Sequence, residues 1–543
     1  MRTLQRTALL ACFFGISSIV GCGDDDKKPD DTTGGSGGTA TGGGSSGGEV
    51  STGGTSTTGG NKPTGGTPST GGAGGVPAEG GSAGVPTEGG SGGVPTEGGS
   101  AGEGGGGGTP TDTACNIYDS TRPIEDIPTD AMGNLTGATG GKFVLTHDKT
   151  WRINGRTWVP DGVTLEIEPC TLLVGTPKPS AGTLFVMRGA KLVADGTADE
   201  PIVFSSEDYK FHTNAPWGGV VLFGKAPLAH PTGVVKETLY EGLTDVRATY
   251  GGSLPNDSSG SMSYVRIEYG GDIIVADKEV NGLSFGAVGR GTSIHHIMVK
   301  RQMDDCFEFF GGTVDADHLI CENTGDDMFD TDNGFKGHLQ YLFGRLTTQG
   351  TSADPNGFEW DGNQGGESDE DRSTSQASNA TLCGLAVNGA AVSYGAILRR
   401  GLQAGTSIQN TIITGFNNGV DTRNAVGTNA APLISWTDSL FFGNFTNNIA
   451  VAEPVDGTSA DNDNAFDEKA WILAAANANT DAAAAPAGFD CYANPPHPFP
   501  NAVIAGGTPA APFETTAKFV GAFEDASDNW MTGAWVDWSS GNP

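Results

Sequence analysis

The run DDCFEFFGG at Asp304–Gly312 returns 22 residues later as DDMFDTDNG at Asp326–Gly334, with apolar, acidic and glycine positions in the same order. A repeat of this length is too short for a domain and too long for a hairpin, so it constrains the fold strongly: it suits one coil of a solenoid with three short strands and three turns. Alignment puts Ile297, Leu319 and Tyr341 in one apolar column and Phe307, Phe329 and Phe358 in another. Strand alternation then turns Glu308, Asp330 and Glu359 away from the core. The third coil arrives 29 residues after the second, which predicts an extra loop between Gly344 and Phe358. Loops of that kind often carry binding on a solenoid. The expected fold class is therefore all-β, a single-stranded parallel β-helix.

The flanking sequence shares this texture from Cys115 onward, as short β-rich runs separated by Gly, Asn and Asp. Upstream it differs completely. Residues 1–21 read as an export signal, with Arg2 and Arg6 ahead of an apolar stretch, and Ile19-Val20-Gly21-Cys22 resembles a bacterial lipobox. Cys22 is the expected lipidation site and would hold the chain to a membrane without crossing it. Residues 22–112 are almost wholly Gly, Ser, Thr, Pro and acidic residues, with a nine-residue repeat at Val76, Val85 and Val94. Such a tract cannot bury enough apolar surface to offset ordering, so a disordered linker is expected, about 50 Å in mean span. Within it, Gly80-Gly81-Ser82-Ala83-Gly84 matches a nucleophile elbow in letters only, because no strand and helix flank it.

Charge narrows the partners. The chain carries 30 Lys and Arg against 64 Asp and Glu, a formal net charge of -34. Nucleic acid is excluded, since phosphate binding needs a basic surface; divalent cations and neutral or cationic partners fit better. Beyond Cys12 in the signal and Cys22, six cysteines remain: Cys115, Cys170, Cys306, Cys321, Cys383 and Cys491. An oxidising compartment allows disulfides in fifteen possible pairings, and Cys306 with Cys321 has the shortest reach. No CxxC, HExxH, EF-hand or P-loop is present.

The segments VTLEIEPCTLLVG, PWGGVVLFGKAPL, YGGSLPNDSSGSMSYVRIEYGG and EVNGLSFGAVGRGTSIHHIMV, the last leading into the paired-aspartate runs, resemble a family of bacterial surface proteins with a right-handed parallel β-helix domain of pectin-lyase-like type. The resemblance covers about Gly141 to Phe442, with a family-like ending at FVGAFEDASDNWMTGAWVDW. It implies the handedness and a cell-surface setting, and it brings no catalytic set to carry over. Cys170 stands where the family's IEPGT pattern has glycine, which implies a bond to Cys115.

Three chemistries suit the acidic columns. Asp304, Asp305, Asp326 and Asp327 can hold turns through side-chain to backbone hydrogen bonds. Alternatively Asp304, Asp305, Glu308, Asp326, Asp327 and Asp330 can supply oxygens to Ca2+. Finally, Asp304, Asp305, Asp326 and Asp327 can serve as the paired carboxylates of polysaccharide hydrolysis. Asp304-Asp305-Cys306 resembles the GDDC segment of polygalacturonases, but Gly337-His338-Leu339 and Arg399-Arg400-Gly401 break the rest of that pattern. If a loop roofs the column, a cation or a raised pKa must relieve the repulsion. His295 and His296, as strand neighbours, should face opposite ways, whereas His296 and His318 should stack one coil apart. Trp360 is an aromatic candidate for sugar contact, and Trp530, Trp535 and Trp538 are expected to pack across the final coil.

The expected organisation is a lipoprotein signal at 1–21, a linker at 22–112, the β-helix at 113–455 and a capping region at 456–543 that completes the same domain. A short amphipathic helix is predicted at Asn462–Ala476. The expected function is that of a lipid-anchored protein at the outer membrane and cell surface that binds glycans or other surface polymers without catalysis, with Ca2+ as a candidate ion. The alternative is a polysaccharide-degrading enzyme using the paired aspartates.

Overall fold

The computed structural model describes residues 115–208, 216–229, 236–275, 278–348, 355–362, 372–385, 393–399, 402–423, 434–450, 463 and 466–539. The chain divides into a unit of Pro29–Asp112 and a unit containing Thr113–Pro543. The signal segment, Cys22, the linker and residues 349–354 of the loop expected between Gly344 and Phe358 lie outside the described residues. Among the described residues no helix is long and apolar enough to cross a membrane.

Parallel pairing dominates. A nine-stranded sheet runs through Arg156–Val159, Thr183–Val186, Val220–Phe223, Leu283–Gly286, Phe307–Phe310, Phe329–Asp332, Phe358–Asp361, Tyr394–Arg399 and Asn418–Thr422. A second sheet of 16 strands bends into two faces. The bend has one local cause: Tyr264, His296, His318, Tyr341, Asn379 and Asn410 each take a φ between 51° and 57° in the middle of a strand. A left-handed residue cannot continue a pleated strand, so the chain turns a corner there. The residues before it form face 1, those after it form face 2, and the nine-stranded sheet is face 3. Together the three faces make a parallel β-helix.

Register decides what is buried. Phe307 pairs with Phe329, which pairs with Phe358; the first two rings lie 5.4 Å apart and nearly parallel. Phe285 stacks on Phe309 at 4.6 Å in the same way. These rings, with Ile297, Leu319 and Leu342 from face 2, belong to one continuous core. Each fully buried ring contributes about 1.5–3 kcal/mol through removal from water. Two expectations are corrected here. Leu342, not Tyr341, continues the Ile297–Leu319 column, because that coil holds 23 residues and not 22. Trp360 pairs with Thr331 and points inward, fully buried, so it is core and not a sugar platform.

The corners between faces 2 and 3 are held by a hydrogen-bond ladder. Asp327 N donates to Asp305 Oδ1 at 2.8 Å, Asn356 N to Asp327 Oδ1 at 2.9 Å, and Tyr394 N to Asn356 Oδ1 at 2.9 Å. Each side chain thus satisfies a buried N–H of the following coil. Disulfides join Cys115 to Cys170, Cys306 to Cys321 and Cys383 to Cys491.

Glu468–Ile472 is the helical part of the predicted Asn462–Ala476 segment, with Trp471 and Ile472 packed on the core at the end of the helix. From Cys491 the chain runs back along the flank. Trp535 is buried, and Trp530 and Trp538 pack with it beside Met298, Ile320 and Phe343 on the outside of face 2. The tryptophans therefore cover central coils, not the final one. Lys300 fixes this return by pairing with Asp537 at 2.8 Å, and Arg345, itself paired with Glu322 at 2.5 Å, donates to the carbonyls of Cys491 and Ala493.

Candidate functional site

Face 3 presents a row of side chains away from the core. Register stacks Ser284, Glu308, Asp330, Glu359, Ile397 and Asp421 in one column. Phe310, Asp332, Asp361 and Arg399 follow in a parallel one. Adjacent coils are spaced by about 4.8 Å, so two carboxylates in a column repel by about 3.5 kcal/mol at an effective dielectric near 20. Arg399 relieves the far end by pairing with Glu359 and, at 2.9 Å, with Asp361. Arg423 does the same for Asp421 at 2.7 Å.

The near end is roofed. Residues 236–251 and 278–280, on either side of the strand Gly260–Glu268, lie over the outside of face 3, where Tyr240, Leu243, Tyr250 and Val280 pack on Phe223 and Phe310. Tyr240 stands edge-on to Phe310 at 5.4 Å, and its hydroxyl lies 2.8 Å from Ser284 Oγ. This roof brings Glu241 and Glu279 toward the column, with Lys278 paired to Glu241 at 3.4 Å. Neither glutamate was flagged by sequence, because only the packing of these segments places them there.

Beneath the roof, oxygen atoms of Asp304, Asp305 and Asp326 all lie within 4.8 Å of one another, and so do those of Asp305, Glu308 and Asp330. Asp305 joins the two groups. Burial pushes Asp304 well above the usual carboxylate range, aided by the charges of Glu279 and Glu241. Asp305 is raised by burial and by Asp304, Asp327, Glu308 and Asp330. Glu308 is raised by burial, then by Asp330 and Glu241, and it donates a hydrogen bond to Asp330. Asp330 is raised by burial, then by Glu359, Asp361 and Asp332. Its Oδ1 is buried without a hydrogen-bond partner.

Of the six predicted site residues, the structure gathers five around one pocket of negative charge. Asp327 is the sixth, and its carboxylate serves the turn ladder instead. The donor set is all oxygen and offers an unsatisfied buried acceptor, which fits a hard divalent cation such as Ca2+. Without a cation, burial and mutual repulsion favour the protonated forms of Asp304, Asp305, Glu308 and Asp330.

A row of carboxylates on one face, roofed at its near end, marks the molecule as a parallel β-helix protein with a buried acidic site. The pectate-lyase-like beta-helix domain model matches residues 137–490, more than half the chain, and the protein belongs to that family. No curated protein and no solved structure matches the chain.

Proposed function

We propose that this protein is an exported, lipid-anchored β-helix module, tethered through Cys22 at the outer membrane and displayed on the cell surface, that binds glycans or other surface polymers without cleaving them. The acidic row on face 3 is the observation that carries this reading: Glu308, Asp330 and Glu359 follow one another at the coil spacing, with Asp421 beyond Ile397. A divalent cation held by Asp304, Asp305, Glu308, Asp326 and Asp330 would offset the charge under the roof and offer coordination to sugar oxygens. The test is a glycan array probed with the full chain, with calcium and with chelator; absence of any ligand in both conditions overturns the proposal.

A second reading rests on the hydrogen bond from Glu308 to Asp330. Two carboxyls whose proton is shared are the equipment of glycoside hydrolysis, one as acid and one as base. Incubation with pectic and other polysaccharides separates the readings. Chain shortening that disappears in E308Q and in the D326A/D327A double variant establishes an enzyme, and intact polymers throughout favour the binding module.

A further inference from the structure

Face 1, ahead of the left-handed corner, carries a cleft separate from the acidic row on face 3. Its floor is made of outward side chains from successive coils. His295, Asp317 and Gln340 stack in one column, and Asp315 and His338 lie beside them. Arg290 forms the near edge, and Pro512 and Phe513 of the returning C-terminal segment form a wall.

The polar groups in this cleft are already oriented. Asp315 Oδ1 accepts from His338 Nδ1 at 2.6 Å and from His338 N at 3.1 Å, while Arg290 Nε donates to Oδ2 at 2.9 Å. Burial acts against ionisation of Asp315, but His338 and Arg290 outweigh it and keep its pKa below the usual range. Phe513 meets the His338 ring edge-on at 5.4 Å and fixes its plane. With Nδ1 committed, His338 Nε2 is left without a protein partner among the described residues. Asp317 Oδ1 accepts from His318 Nδ1 at 2.5 Å, while the Asp317 side chain is 48% exposed. Asp315, just ahead of the strand Ala316–Glu322, and Asp317, its second residue, both line the cleft.

We propose that this cleft is a second sugar subsite, which takes a neutral pyranose through its hydroxyls. The proposal rests on the glycan-binding reading above. Carboxylates and a free imidazole nitrogen accept from sugar hydroxyls, and the Arg290 guanidinium donates to one. Two carboxylates against one guanidinium leave the cleft negative, and the chain as a whole carries -34. A polyuronate is thereby rejected here, whereas a neutral chain is not. Pre-organisation of Asp315 and His338 lowers the ordering cost of binding.

The test is titration of the full chain by calorimetry with cellohexaose, xylohexaose, mannohexaose and hexa-galacturonate, each with and without calcium. The probed variants are D317N and H338Q, with unfolding midpoints measured alongside, D330N as the face 3 variant and D199N as the control. Loss of a charge-assisted bond predicts affinity for a neutral hexasaccharide about tenfold or more weaker in D317N and H338Q. D199N, which replaces an exposed carboxylate that belongs to neither site, should leave that affinity unchanged. If neutral sugars bind and only D330N weakens them, or if the hexa-galacturonate alone binds, the cleft assignment is overturned and the general reading stands. If no saccharide binds in any condition, both are overturned. H338N serves as a second variant should H338Q lower the unfolding midpoint.

Discussion

The Nδ1 atoms of His295 and His296 lie 3.0 Å apart, although strand neighbours ordinarily point to opposite faces. The left-handed φ of 55° at His296 cancels the alternation, which corrects the expectation drawn from strand geometry. His296 then stacks between Tyr264 at 4.5 Å and His318 at 4.3 Å, with Trp535 edge-on at 5.5 Å.

That setting makes His296 an acid-sensitive point. Burial, then the neighbouring His318 and His295, push its pKa down to about 4. The unfolded chain binds the proton more readily, so stability from this group is full above about pH 6.5 and is lost as pH falls toward 4. Between pH 7.5 and 4.5 the urea midpoint of the wild type should fall relative to that of H296N, which keeps a residue suited to the corner, as Asn379 and Asn410 are. Equal slopes would remove the assignment.

The acidic pocket predicts the opposite slope. Asp304, Asp305, Glu308 and Asp330 all have folded pKa values raised above their unfolded ones. Their contribution is therefore present at low pH and is lost as pH rises from about 4 through the folded values. In chelator the melting midpoint should drop as pH rises; saturating calcium should restore it through ligand linkage. Replacement of a repelling charge in E308Q or D330N should stabilise the chelated protein by roughly 1–3 kcal/mol and blunt the calcium response. A midpoint indifferent to calcium in all three proteins would discard the cation.

The turn ladder separates two uses of aspartate. Asp327 presents one oxygen to the N–H of Asn356, as Asn356 itself does for Tyr394. D327N keeps that acceptor and should fold with unchanged or higher stability. D327A strands a buried donor and should lose about 1–3 kcal/mol in denaturant titration. Equal losses in the two variants would show that charge, not the acceptor, matters at this corner.

Core packing gives a third contrast. Phe329→Ala should cost about 3–5 kcal/mol, and Trp360→Ala a similar amount. Trp360→Phe should leave glycan affinity untouched, since the indole faces inward. A selective loss of affinity in that variant, with the unfolding midpoint preserved, would contradict the inward placement.

The coil was legible in the sequence because burial repeats a residue type at each turn: Phe307, Phe329 and Phe358 occupy one column. The single-residue slip at Tyr341 came from counting at a constant 22. The signal that would have prevented it is local, an apolar residue, a polar one, a corner residue and an apolar one, as in Ile294–Ile297, Ala316–Leu319 and Leu339–Leu342. The outward acidic column was visible through strand alternation. Its roof was not, because Tyr240, Tyr250 and Val280 reach Phe223 and Phe310 through contacts distant in sequence. Nor was the face 1 cleft, whose wall at Phe513 comes from a segment 175 residues beyond His338.

The returning C-terminal segment has a further consequence. It touches Asn410 and Asn379 through backbone carbonyls at Gly507, Ala517 and Phe519, Lys300 through Asp537, and Ala198 through the Trp535 amide. A solenoid can ordinarily gain or lose whole windings in evolution, because each one meets only its neighbours. Here the chain measures its own length against that returning splint, so an added or deleted winding would throw every docking point beyond it out of step.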